Sequence, residues 1–240
     1  MAARLIDRSL ISDWAGVLQQ AWSGALVLVI APLVTTLLPG ATGVLMGGAL
    51  ALIGGTCVLS GASRSSPPRV ALLAACLALA GLVLAFLAIM TVLVVTMVTM
   101  GIMASSGFDF EQAGASPEAM QTAMDAYRQT PGWQICLGVF GVGLALWLFA
   151  AALFLPAPAH SVRAGRLVVL EGFRRSRGRG VALLVMLVLA LAPALVASLL
   201  APPGLIAALG IGISLLLLAL VSHRAHAVLP DLSARIDPAD

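Results

Sequence analysis

Residues 70–104 read VALLAACLALAGLVLAFLAIMTVLVVTMVTMGIMA, with no charged side chain anywhere in the run. A soluble surface helix keeps a polar face, and a barrel strand alternates apolar with polar; this block does neither. In lipid every backbone N–H and C=O must be paired inside its own segment, so the block is a membrane helix. Its 35 residues would reach about 52 Å at about 1.5 Å each, well past a hydrocarbon core of about 30 Å. The helix is therefore expected to tilt, kink or project beyond the membrane.

Working outward, five further apolar blocks occupy 23–38, 42–62, 133–155, 181–201 and 205–221. LPGATG joins the first two, SRSSPPR precedes the long third block, and APPG links the last two. Composition agrees. The 240 residues contain only 10% charged side chains, where soluble chains carry about 25%, and the mean hydropathy is +1.08. The expected fold is an all-α, polytopic membrane bundle of six transmembrane helices preceded by an amphipathic interfacial helix. Residues 1–22 form that leader and 23–222 the transmembrane domain. The domain carries an outer helical loop at 105–132 and an arginine-rich cytoplasmic loop at 157–180, and 223–240 is a cytoplasmic tail.

With six spans the charges sort themselves. Arg4, Arg8, Arg64, Arg69, Arg163, Arg166, Arg174, Arg175, Arg177, Arg179, Arg224 and Arg235 share one side, and Arg128 alone takes the other. Asp109, Glu111, Glu118 and Asp125 accompany Arg128. Such a bias places both termini in the cytoplasm of a bacterial inner membrane. The run EGFRRSRGRG at 171–180 is then a topology determinant that touches anionic lipid headgroups. It lacks the interleaved aromatics and folded basic domain of a nucleic-acid site, so no nucleic-acid partner is expected.

Three polar segments carry helical patterns. In 6–22, Ile6, Leu10, Ile11, Trp14, Val17, Leu18 and Ala21 share one face, opposite Arg8, Ser9, Ser12, Asp13, Gln19 and Gln20; Asp7 is the exception. At 116–132, Ser116 is an N-cap, Pro117 a first helical residue, and Met120, Ala123, Met124 and Tyr127 make a stripe ended by Thr130-Pro131-Gly132. In 157–180 one helix is expected to carry Arg163, Arg166, Arg174 and Arg177 on one face, with Glu171 paired to Arg174 or Arg175 and a break at Gly178 and Gly180.

Lipid tails are as apolar as leucine, so spans associate through small residues that let backbones approach. Gly43, Gly47, Ala51 and Gly55 recur every fourth residue, as do Gly204, Ala208 and Gly212. Ala71, Ala74, Ala78, Gly81, Ala85 and Ala88 follow a 3.5-residue repeat. The second and third spans are expected to form a tight pair on these rows. Pro32 and Pro193 should kink the first and fifth spans.

None of the six blocks contains Asp, Glu, Lys, Arg or His. Proton relays, ion sites and in-membrane hydrolysis use such groups, so no enzyme activity and no cofactor is expected. Ser60, Ser198 and Ser214 lack a histidine beside them in sequence, and Thr35, Thr36, Thr91, Thr96 and Thr99 are expected to bond back to their own helices. Cys57, Cys76 and Cys136 read as packing residues. His160 stands alone, and His223 with His226 gives two ligands, short of a metal site. The segment before the first block does not read as a cleaved signal.

The stretch LFLPAPAHSVRAGRLVVLEGFRRSRGRGVALL, 153–184, resembles a pattern in YciC-like proteins and in the membrane domain of some glycerophosphodiester phosphodiesterases. There a span ends at a proline, a cytoplasmic helix of the type Ala-Leu-Arg-Arg-Ser follows, and the next span begins. Pro156 and Ser176 match that pattern, while Gly172 and Phe173 replace Ala-Leu. The resemblance implies no enzymatic role. The expected function is structural, scaffolding or envelope-related. The alternative is a permease subunit of an ABC-type or other transporter complex. Expected partners are the bilayer, anionic headgroups, and a homo-oligomer or other membrane subunits.

Overall fold

The computed structural model describes residues 9–176, 178–200 and 204–228, the side chain of Arg175 excepted. The described residues are 87% helical and contain no strand. In chain order the helices are α1 (Ser9–Gln20), α2 (Trp22–Leu37), α3 (Gly40–Ser60), α4 (Pro67–Ser105), α5 (Phe110–Gly114), α6 (Pro117–Tyr127), α7 (Pro131–Leu153), α8 (Pro156–Ala164), α9 (Val169–Arg175), α10 (Gly180–Leu200) and α11 (Leu205–Val228). Five segments are long and apolar enough to cross a membrane: Gly40–Ser60, Pro67–Ser105, Pro131–Ala164, Gly180–Leu200 and Leu205–Val228. A sixth arises if α1 and α2, bent by 89°, act together. This is a membrane protein of the all-α bundle class.

Met1–Gly81 with Ala151–Asp240 forms one compact unit, and Leu82–Ala150 a second. In the first unit α11 is the hub, packing on α10, α2, α8, α3 and α1. Its core lies near the C-terminal ends of α3 and α11, where Val58, Leu59, Leu73, Ala159, Val162, Ala219 and Leu220 are buried together with Val17 of α1 and Leu28 of α2.

α2 and α3 are antiparallel at backbone contact. A Cβ on Gly54 would lie 2.6 Å from Gly24 O and 2.8 Å from Leu28 N; one on Gly47 would lie 2.8 Å from Ala31 O; one on Gly43 would lie 2.9 Å from Thr35 O. The ladder on the second apolar block thus faces the first block, whereas tight pairing with the third was expected. The reason is geometric. A four-residue step advances about 400° on a helix of 3.6 residues per turn, so each rung turns about 40° from the last. Gly43 and Gly47 face α2, Ala51 is half-buried at the edge of the core, and Gly55 has turned toward Leu73 of α4. The missing α2-facing rung is Gly54. On α4, Ala74 is half-buried, whereas Ala78, Gly81 and Ala85 are exposed, and a Cβ on Gly81 would meet nothing within 4 Å. In the last block Ala208 is buried and Gly212 abuts the Val29 backbone of α2.

α4 is one unbroken helix of 39 residues. Pro32 and Pro193 sit inside α2 and α10, both of which continue through them. Beside Pro193, the Ala194 N–H donates to the buried Ser214 Oγ of α11 at 3.0 Å, as hydroxyls do for backbone groups loosened by proline in lipid. Thr35, Thr36 and Thr99 bond back to carbonyls of their own helices.

In the second unit the far part of α4 and the near part of α7 flank an apolar groove of about 460 Å³ lined by Thr91, Val95, Cys136, Phe140 and Trp147 among others. Trp147 Nε1 donates to Leu84 O at 3.0 Å. α6 begins as expected, with Ser116 Oγ accepting from Ala119 N at 3.1 Å. Its stripe buries Tyr127, whereas Met120 is exposed. Burial and the neighbouring Cys136 thiol push the Tyr127 phenol above its ordinary pKa. α5 is a short helix inside the expected outer helical loop at 105–132, ahead of the one expected from Ser116, and is capped by Asp109 Oδ1, which accepts from Glu111 N and Gln112 N at 3.0 Å.

Candidate functional site: a polar cluster on α8, α9 and α11

Pro156 opens α8 where α7 stops, because its fixed φ suits a first helical residue and it has no N–H to leave unpaired. Gly165, at φ +66°, then ends α8 in the left-handed region. The expected single helix across the arginine segment is therefore two helices, α8 and α9, with Ser161 Oγ accepting from Val168 N across the bend at 3.2 Å. Ser176 closes the segment: its buried hydroxyl donates to Leu153 O at 2.7 Å and fastens the end of α9 to the end of α7. Gly178, at φ +79°, and Gly180, the first residue of α10, mark the expected break.

These turns bring α8 against α11. Ala159 N donates to Ser222 Oγ at 3.3 Å, and Ala159 and Val162 are fully buried against Ala219 and Leu220. One helical turn further along α11, all three histidines of the chain gather. His160 does not stand alone: its Nδ1 lies 3.3 Å from His226 Nδ1, and its Nε2 lies 3.5 Å from Glu171 Oε2. Glu171 thus reaches back to α8, and Arg166 Nη2, in the turn that follows α8, is 3.8 Å from its carboxylate.

His223 and Arg163 serve a different purpose. α3 ends at Gly61, φ +66°, with Ala62 N donating to Cys57 O and Gly61 N to Val58 O. A helix C-terminus carries partial negative charge and unpaired carbonyls. Arg163 Nε donates to Leu59 O at 3.2 Å, and His223 Nδ1 lies 3.3 Å from Val58 O. With Nδ1–H donating to Val58, His223 Nε2 accepts from Arg163 Nη2 at 2.9 Å. Two basic residues from α8 and α11 thus cap α3.

Arg224, on the next position of α11, is buried and pairs with Asp13 of α1, while its Nη2 donates to Ser9 Oγ at 2.8 Å. This clasp holds α1 on the bundle, where Val17 is buried and Trp14 and Leu18 pack on the core. Ile11 instead remains 77% exposed, so the expected apolar face of α1 is divided between the bundle and the surroundings. Ile6, Asp7 and Arg8 lie outside the described residues.

Of the six arginines singled out from sequence, Arg163 and Arg166 join this cluster. Arg174 is exposed, and Arg179 Nη1 donates to Val228 O at 3.4 Å, at the end of α11. The Arg175 side chain and Arg177 lie outside the described residues. Sequence reasoning missed His160, Glu171, His223, His226, Arg224 and Asp13 as one assembly, because His160 and His226 are 66 positions apart and no spacing rule links them. No protein-family model matches the chain, and no curated protein or solved structure is significantly similar to it.

Proposed function

We propose that this is a non-catalytic, structural protein of the bacterial inner membrane. It has six spans, with both termini and the α8–α9 segment in the cytoplasm, and serves as a scaffold in the envelope. One observation supports this reading above others. Arg163, His223, Arg224 and Asp13 spend their hydrogen bonds on tying α1, α3, α8 and α11 together, as structural polar groups do. Arg166 and Arg174 extend from the same segment toward anionic headgroups, which basic residues beside a cytoplasmic membrane face attract. The resemblance of 153–184 to the YciC-like pattern rests on Pro156 and Ser176, and that family has no established enzymatic role for this domain; here two helices, α8 and α9, stand where the pattern has one.

The test combines topology with transport. Reporter fusions at Gln121 and Ser176 should report opposite sides, Gln121 outside and Ser176 inside. Protein reconstituted alone into proteoliposomes should conduct no proton-driven solute flux. Both reporters on one side would refute the topology, and protein-dependent flux would refute the scaffold reading. Copurification with an ATPase would favour the permease alternative.

A further inference from the structure

Two imidazoles placed face to face by a rigid scaffold can do more than share a hydrogen bond. The positions of His160 and His226 are set by contacts that do not involve their rings: the Ala159–Ser222 bond and the packing of Ala159 and Val162 against α11. His160 is only 6% exposed. The Nδ1 atoms are 3.3 Å apart, and the ring centres 5.2 Å apart with the planes tilted by 37°.

Those two separations discriminate. An ion about 2.0–2.1 Å from each of two imidazole nitrogens, at the tetrahedral angle, holds the nitrogens about 3.3 Å apart. With each ring centre about 1.15 Å behind its nitrogen, the same ion sets the centres about 5.2 Å apart, whereas a straight N–H···N bond of that length sets them about 5.6 Å apart. The observed pair of separations matches the ion-bridged arrangement. On the far side of His160, Nε2 faces the Glu171 carboxylate. A carboxylate at the second ring nitrogen is the usual orienting partner of a metal-bound histidine.

We infer that His160 and His226 are ligands of a divalent transition-metal site, each binding through Nδ1, with Glu171 orienting His160. Imidazole donors select ions such as Zn²⁺, Ni²⁺ or Cu²⁺. Among the described residues no group of three His, Cys, Asp or Glu side chains forms a ligand set. The coordination positions these two histidines do not fill can be taken by water or an external anion. His223 is not a ligand, because its nitrogens face Arg163 and Val58 O. When occupied, the site would cross-link α8 to α11.

The experiment uses the full chain in detergent, without a polyhistidine tag, stripped by chelator and titrated with Co²⁺ and Zn²⁺. One ion per chain is expected at micromolar free metal, seen as Co²⁺ visible absorption that Zn²⁺ displaces. Zn²⁺ should also raise the thermal midpoint. His160→Gln and His226→Gln, which keep a polar side chain, should each weaken binding at least tenfold and abolish that rise while the helical circular dichroism is kept. His223→Gln should retain binding. Absence of a saturable ion in the unsubstituted protein, or binding that survives the His160→Gln/His226→Gln double substitution, would overturn the inference.

Discussion

Gly54→Val should prevent α2 from seating on α3, whereas Gly48→Val on the same helix should be tolerated. The contrast follows from what each new side chain meets. A Cβ at Gly54 points at two backbone atoms of α2, Gly24 O at 2.6 Å and Leu28 N at 2.8 Å, which cannot rotate away as a side-chain tip would. A Cβ at Gly48 meets nothing within 4 Å. Overpacking a close-packed contact costs about 1–3 kcal/mol, and a β-branched residue against backbone belongs at the upper end. α2 also supports α11, since Gly212 lies against Val29, so the loss would spread to the hub helix. Thermal midpoint and yield of monodisperse protein in detergent measure the effect. Equal behaviour of the two variants would contradict the packing described for α2 and α3.

The second large effect is expected at the α1 clasp. Asp13→Ala removes the carboxylate that faces the buried Arg224 guanidinium. Breaking a fully buried ion pair from one side costs about 3–5 kcal/mol. Asp13 is 46% exposed, so solvent screens the pair and a loss of about 1–3 kcal/mol is the reasonable magnitude. Asp13→Asn keeps an acceptor without the charge and should fall between Ala and the unsubstituted chain. Limited proteolysis reads the consequence: cleavage within α1 should accelerate in the order Asp13, Asn, Ala. Identical cleavage rates would mean that Trp14, Val17 and Leu18 hold α1 without the clasp.

Much of this architecture was legible in the sequence, and the parts that were not share a cause. The apolar blocks, the Ser116 cap and the break at Gly178 are local, so composition and spacing disclose them. The small residues on α3 were also visible as sites of close approach, but their partner was not. A row of glycines states that something comes near, and the 40° drift of a four-residue ladder decides what each rung meets. That drift is why Gly54, rather than Gly55, faces α2. α8 and α9 were read as one helix because the arginines and leucines keep a helical period across Gly165, where a single left-handed residue changes direction. The histidine pair had no local signal. It depends on the Ala159–Ser222 register between helices far apart in the chain, and only folding brings that about.

α2 decides the account, because its 16 residues span only about 24 Å, and the sidedness of everything before α3 depends on its crossing. Single cysteines at Thr42, just after the α2–α3 turn, and at Ser63, after α3, should be labelled in intact cells with a membrane-impermeant thiol reagent. Buried Cys57, Cys76 and Cys136 provide the background. Parallel labelling in permeabilised cells, with a cysteine at Asp13, then completes the measurement. The account predicts Thr42→Cys labelled from outside, with Ser63→Cys and Asp13→Cys reached only after permeabilisation. Thr42→Cys and Asp13→Cys reacting from the same side would contradict it, because α2 would then turn back without crossing.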